Sequence, residues 1–267
     1  MDIKYINDQD WSSINQQFLQ GRPFNHIVID NFFTEEIAQQ LVKEFPSYNS
    51  DIWHTYKNAI EDKKTCNNWN VFPKTTYSVF NYLGGNDFLN VVGQIAGVDN
   101  LYSDPGLNGG GWHAHTKNGK LNVHLDYSIH PKLGLKRNFN LIVYMTPDWD
   151  PAWGGGLELW SHNSETNQPG ERVGIVENKF NRAVIFDTTQ NSWHGLPADL
   201  TCPDGVARQS LAVYYLTPSD LTTDPRGKAL FAPYQDQAND PDVLTLIAKR
   251  SNIATASEVY GNGGKKS

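Results

Sequence analysis

The sequence predicts a mainly β protein with flanking helices. From about residue 70 onward, short runs rich in Val, Ile, Tyr, Phe and Trp alternate with clusters of Gly, Pro, Asn and Asp, the texture of an antiparallel β core. Helical spacing of apolar residues instead marks segments near the two ends. At 267 residues the chain can bury a sizeable core, and its length fits one large β unit with helical additions. The expected organisation is one domain over 1–267: a helical N-terminal part over about 1–70, a β core over about 71–220 and a C-terminal extension over about 221–267.

In chain order, the segment TEEIAQQLVKEF at 34–45 places Ile37, Leu41 and Phe45 at four-residue spacing after Thr34, a candidate N-cap, so a helix is expected there; Pro46 stops it. Asn118-Gly119 signals a turn next to a strand at 121–125. Strands follow at 139–145, 156–160, 183–186 and 209–216, with the run Trp153-Gly154-Gly155-Gly156 turning the chain between the first two. After Pro218 the pattern weakens, and PDVLTLIAKRS at 241–251 predicts a closing helix. The tail GNGGKKS is expected to be disordered. There is no internal repeat and no low-complexity segment.

Charge and composition narrow the function. A formal net charge of -7, from 29 acidic and 22 basic residues, leaves no surplus of positive charge for a phosphate backbone or an anionic membrane, so nucleic acid and membrane are not expected partners. The N-terminus lacks a basic region followed by an apolar stretch, and no run approaches the roughly 18 apolar residues of a membrane span. A soluble, cytoplasmic protein is expected. Two cysteines, Cys66 and Cys202, exclude a disulfide scaffold and a cysteine-based zinc site, leaving at most one bridge.

The chemistry concentrates in His124-Leu125-Asp126, His194 and Arg208-Gln209-Ser210. On a strand, residues i and i+2 face the same way, so His124 and Asp126 can reach one ion. His194 follows the strand at 183–186 and sits in Ser192-Trp193-His194-Gly195, where a turn can aim it inward. Two histidines and a carboxylate form the ligand set that holds non-haem Fe(II) on one face and leaves the other open. His113, His115, His130 and His162 compete for the third position, but none has both a strand leading into it and an arginine opening a later strand. Arg208 opens the apolar strand QSLAVYYL, and a guanidinium facing the core there needs an anion: a dicarboxylate cosubstrate, or an Asp or Glu in a structural ion pair.

The stretch from His124 to Leu216 resembles the Fe(II)- and 2-oxoglutarate-dependent oxygenases, and among them the prolyl hydroxylase-like branch. The likeness lies in HLD, RNFNLIVYMTPDWDPAWGGGLELW, ENKFNRAVIFDT, WHGL and RQSLAVYYL. It implies a double-stranded β-helix core of the jelly-roll, cupin-like type. It further implies Fe(II) on His124, Asp126 and His194, with 2-oxoglutarate and O2 as cosubstrates and ascorbate as a stimulant. Arg208 and Tyr144 would take the far carboxylate of 2-oxoglutarate, with Asn140 and Ser210 as secondary candidates, and bidentate guanidinium–carboxylate pairing would orient it. One departure stands out: NGGGWHAHTKNGKL lacks the tyrosine that several prolyl hydroxylases place there, which leaves His113 and His115 as candidates to line the pocket.

On this reading 2-oxoglutarate is decarboxylated to succinate and an unactivated C–H bond is hydroxylated. Asp126 sets the chain apart from the related halogenases, where a small residue replaces the carboxylate. The resemblance suggests a prolyl residue in a peptide or protein as substrate, with a free amino acid or other small metabolite as the alternative. Trp112, Trp149, Trp153 and Trp193 are candidates either to pack on substrate or to cap the β core. Two other classes predict different arrangements. A cupin-like metal protein without oxygenase activity needs no Arg208 or Tyr144 on the sheet interior, and a structural β-sandwich would leave His124, Asp126 and His194 apart and facing solvent.

Overall fold

The computed structural model describes residues 4–260. Helix α1 (Trp11–Gln20) and strand β1 (His26–Ile29) lead into α2 (Glu35–Glu44), the antiparallel pair β2 (His54–Lys57) and β3 (Glu61–Cys66), and helices α3 (Lys74–Leu83) and α4 (Asn86–Ala96). The strands β4 (Tyr102–Ser103), β5 (Gly111–His115), β6 (Lys120–Leu125), β7 (Lys136–Tyr144), β8 (Leu157–Asn163), β9 (Gln168–Val176), β10 (Ala183–Asp187), β11 (Trp193–Leu196) and β12 (Arg208–Thr217) follow. A short β13 (Leu230–Phe231) and α5 (Pro241–Ser251) complete the extension.

The strands join one antiparallel sheet in the order β1-β10-β7-β12-β5-β3-β6-β11-β8-β9, with β13 on β6, β2 on β3 and β4 on β12. The sheet rolls into a nearly closed barrel: Leu157 and Leu159 of β8 and Val176 of β9 pack against Tyr144 of β7 and Val184 and Phe186 of β10, far from them in strand order. This is the double-stranded β-helix architecture expected for the core. The alternation of side chains then sorts two faces. Phe139, Leu141 and Val143, with Ala183, Ile185, Leu211, Val213 and Tyr215, pack outward under Phe18, Leu41, Phe80, Phe88 and Val92 of the helical layer. The intervening residues Asn140, Ile142, Ser210, Ala212 and Tyr214 point into the barrel cavity. Covered on both sides, β7, β10 and β12 read as almost unbroken apolar runs.

The strand expectations at 121–125, 139–145, 156–160, 183–186 and 209–216 correspond to β6, β7, β8, β10 and β12, and the helix expectations at 34–45 and 241–251 to α2 and α5. Thr34 holds the N-cap position of α2 without capping it; its hydroxyl donates to the Lys4 carbonyl at 3.2 Å, and Glu35 and Glu36 supply the negative charge that favours a helix N-terminus. Asp240 does cap α5, accepting from the backbone of Asp242 and Val243.

Two boundaries need correction. Residues 74–96, expected as β, are α3 and α4: Val79, Phe80 and Leu83, then Phe88, Val92 and Ile95, recur at three- and four-residue spacing and are buried in the helical layer. The N-terminal part, expected to be helical, also contributes β1, β2 and β3 to the sheet. Cys66 and Cys202 are both free and buried, so the one possible bridge is not formed. The tail at 261–267 lies outside the described residues. Among the described residues, no helix is long and apolar enough to cross a membrane.

Candidate active site

Strand pairing brings His124, Asp126 and His194 together. β6 and β11 are antiparallel neighbours with His194 opposite His124, so the two rings lie with centroids 4.4 Å apart. Asp126, two residues beyond His124 at the end of β6, places one carboxylate oxygen 3.7 Å from His124 Nε2 and the other 3.8 Å from His194 Nε2. The three ligand atoms all lie within 4.8 Å of one another, and all three residues are buried. His194 is thus held in a strand, where the sequence suggested a turn. Gly195 makes the close approach possible, because a Cβ there would meet the Leu121 carbonyl oxygen at 2.8 Å. A structural β-sandwich with separated, solvent-facing residues is excluded.

Both imidazoles are aimed by the backbone. His124 Nδ1 lies 2.9 Å from the Asn122 carbonyl and His194 Nδ1 2.7 Å from the Ser192 carbonyl, which fixes each proton on Nδ1 and turns the Nε2 lone pair toward Asp126. Phe231 stacks on His124 and Phe186 meets the His194 ring edge-on. Burial, followed by the charge of His124, pushes His194 down to about 4, so it is neutral at pH 7 and able to ligate. Burial alone would raise the Asp126 carboxyl, but His124, His194 and Arg137 hold it well below the usual carboxylate range. The Tyr214 hydroxyl donates to Asp126 at 3.1 Å. Two imidazole nitrogens beside an ionised carboxylate are the donor set that Fe(II) takes, and the residues fit the metal.

The same cavity, about 370 Å³, extends from these residues across β5, β12 and β7. On β12 the alternating residues Arg208, Ser210 and Tyr214 face inward; His115 and His113 of β5 stand opposite Arg208 and Ser210, and Tyr144 and Asn140 of β7 stand opposite Ser210 and Tyr214. Arg208 is buried, and its Nε donates to the Gly155 carbonyl at 2.6 Å. Among the described residues no carboxylate acts on it; the Gly155 carbonyl and the nearby phenol of Tyr144 offset its desolvation. Gly155, at φ 81°, leaves room for it, since a Cβ there would lie 2.9 Å from Arg208 Cδ. The structural ion pair weighed for Arg208 is therefore absent among the described residues. The Tyr144 hydroxyl and Asn140 Oδ1 are buried without hydrogen-bond partners, as are both ring nitrogens of His115 and Nε2 of His113. Burial pushes the Tyr144 phenol up, which keeps it a donor. A buried cation, with the unfilled polar groups of His113, His115 and Asn140 lining the same cavity, fits a polar, anionic ligand.

Two of the competing histidines have other partners, and His113 and His115 line the cavity instead. His130 pairs with Asp104 at 3.2 Å, and His162 accepts the Trp193 indole N–H at 3.1 Å. None of the four tryptophans singled out lines the cavity. Trp112 packs with Phe45, Trp53 and Phe72, Trp149 lies edge-on to Trp153, and Trp193 is fully buried against Val123 and Leu125. Lys63, Tyr127, Arg137 and Tyr214 line the cavity although the sequence did not single them out. Arg137 opens an apolar strand as Arg208 does, and Tyr214 lies on the Arg208 face by alternation; both signals were present. EDKKTC around Lys63 carries none.

Fold and site together define a double-stranded β-helix with a facial His–Asp–His site and a cationic wall behind it. Residues 110–216 match the model of the 2OG-Fe(II) oxygenase superfamily. The donor set fits the Fe(II) and 2-oxoglutarate of the family's name, with O2 as the second cosubstrate. The chain is 30% identical over 107 residues to prolyl 3-hydroxylase OGFOD1 of Xenopus laevis, an alignment covering 38% of this chain and 20% of that protein. The chain thus spans about a fifth of the length of that curated relative. The fold is similar to a prolyl-4-hydroxylase of Pseudomonas putida, with TM-score 0.54 and 13% identity over 79% of this chain and 100% of the other. It is equally similar to a prolyl hydroxylase of Trichoplax adhaerens in complex with a hypoxia-inducible factor peptide fragment, with TM-score 0.54 and 15% identity over 79% of this chain and 94% of the other.

Proposed function

We propose that this protein is an Fe(II)- and 2-oxoglutarate-dependent dioxygenase that hydroxylates an unactivated C–H bond, with a prolyl residue of a peptide or protein as its substrate. The observation that carries the reading is one buried cavity lined by a preorganised His124–Asp126–His194 set and by Arg208, a guanidinium without a carboxylate partner. The bound metal and its cosubstrates supply the oxidising chemistry that no side chain has. His124, Asp126 and His194 hold the ion on one face. Arg208 and the Tyr144 hydroxyl take the far carboxylate of 2-oxoglutarate, with Asn140 and Ser210 on the same wall, and the guanidinium orients it. Ile142, Leu157, Leu196 and Phe231 line the cavity with apolar surface and exclude water from the reacting centre.

The prolyl assignment draws on the prolyl hydroxylases among the similar proteins. A free amino acid or other small metabolite is the second reading, favoured by the cavity itself: about 370 Å³ is near the lower end of small-molecule sites, and the cosubstrate takes part of it. The test is an anaerobic titration with Fe(II) and 2-oxoglutarate, following the visible charge-transfer band of a metal-chelated 2-oxo acid. The band is expected in the wild-type protein and lost in His194→Ala. A wild-type protein without it is not an oxygenase of this kind.

A further inference from the structure

The chain has a formal net charge of -7, yet its central cavity is cationic. Lys63, Arg137, Arg208, Lys228 and Arg250 line it, against one carboxylate on the wall, Asp126. Fe(II) and the 2-oxoglutarate dianion cancel when both are bound, and Arg208 belongs to the cosubstrate. Two further carboxylates stand close by. Glu61 is shared between Lys63 at 3.6 Å and Arg250 at 3.1 Å, so one carboxylate serves two cations. Asp104 acts on Arg137 from a distance while pairing with His130. Positive charge remains in excess on the side of the metal away from Arg208.

Arg137 concentrates that excess. It is 1% exposed and lies flat between two tyrosine rings, its guanidinium carbon 3.8 Å from the Tyr127 centroid and 3.1 Å from that of Tyr214. Nη2 donates to the Asn108 carbonyl at 3.2 Å, and among the described residues Nε has no partner and no carboxylate lies within ion-pair distance. The Tyr214 hydroxyl bonds Asp126, so one ring separates Arg137 from the ligand set. Burying a cation costs several kcal/mol, which the two aromatic faces and the more distant Asp126 and Asp104 offset without any carboxylate touching the guanidinium. Its Nε edge, left without a partner, is shaped for a carboxylate.

We propose that the substrate presents a carboxylate beside the oxidised carbon, received by Arg137 with Lys63 as the second cation. The proposal rests on the oxygenase reading and narrows its substrate class. The carboxylate has two sources: the free acid group of an amino acid, or an acidic side chain next to the target residue of a peptide. Isosteric probes that differ only in this group decide: L-proline against L-prolinamide, and acetyl-Asp-Pro-amide against acetyl-Asn-Pro-amide. Each is added to the full chain loaded anaerobically with Fe(II) and 2-oxoglutarate, and the perturbation of the charge-transfer band is titrated.

The acid of one pair is expected to bind about tenfold or more tightly than its amide, and the responding pair names the source. Arg137→Gln and Lys63→Met should each reduce the preference to about twofold or less while retaining the band. Equal binding within both pairs, no response to any probe, or a preference that survives both substitutions overturns the proposal, provided the band is present. A missing band overturns the oxygenase reading instead. Should Arg137→Gln not fold, the wild-type pairs and Lys63→Met decide.

Discussion

At the two histidines one device is used twice: a backbone carbonyl two residues upstream holds Nδ1 and leaves Nε2 free. Asp126 needs no such aim, because Tyr214 and two imidazoles already converge on it. Asp126→Ala is expected to abolish metal binding and turnover, read by titrating Fe(II) or Mn(II) into the protein. Arg208→Ala should leave metal binding in place and weaken 2-oxoglutarate by about 2–5 kcal/mol, roughly 30-fold or more, because truncation leaves a buried carboxylate unpaired. Tyr144→Phe removes one hydrogen bond and should cost about 0.5–1.5 kcal/mol of the same affinity. His113 gives a pH prediction. Burial, with Lys63 nearby, pushes its ring down to about 3, so the folded protein keeps it neutral while the unfolded chain takes up a proton below about 6.5. Metal-free stability should therefore fall as pH drops from about 6.5 toward 3, by at most about 1.4 kcal/mol per unit from this group, and His113→Leu should flatten the denaturation profile over that window. The convergence of His124, Asp126 and His194 and the inward place of Arg208 were legible because two residues apart on a strand means one face and because a charge opening an apolar strand needs a partner. Lys63 was not legible, since its place depends on how β3 lies between β5 and β6.

Among the elements, β7, β10 and β12 announced themselves through apolar runs, a consequence of sheet buried on both faces. β9 gave no such signal: QPGERVGIV lies at the end of the sheet with most of its residues partly or fully exposed, so burial never selected an apolar pattern. Helices α3 and α4 were hidden for the opposite reason, their Val and Phe residues matching the strand-rich texture that follows. The pairing of β6 with β11 is the element-level determinant of the site. Gly195→Val would drive a side chain into the backbone of Leu121 and Asn122. The expected outcome is loss of metal affinity at a cost to stability of about 1–3 kcal/mol, measured by metal titration beside denaturant unfolding.

Across the whole molecule, the rolled sheet divides labour between its faces. The outer face carries the helical layer and most of the aliphatic core, while the inner face carries nearly every polar residue of the site. Substitutions on the two faces should separate cleanly. Phe88→Ala, on the buried face of α4, is expected to cost about 3–5 kcal/mol of stability with cosubstrate affinity unchanged in the folded fraction, whereas Arg208→Ala does the reverse. The C-terminal extension crosses this divide: Phe231 covers His124, and Arg226 donates to the Asp126 carbonyl at 2.9 Å. That arrangement sets an order of events during synthesis. The ligands arrive from β6 and β11, and the residues that brace them arrive only with Arg226 and Phe231, near the end of the chain. A ribosome-bound chain that has emerged only through β10 holds two ligands on one strand and no third. If these three residues hold the metal as proposed, such a chain lacks the complete set, and metal scarcity is expected to leave folded, empty protein rather than unfolded chains.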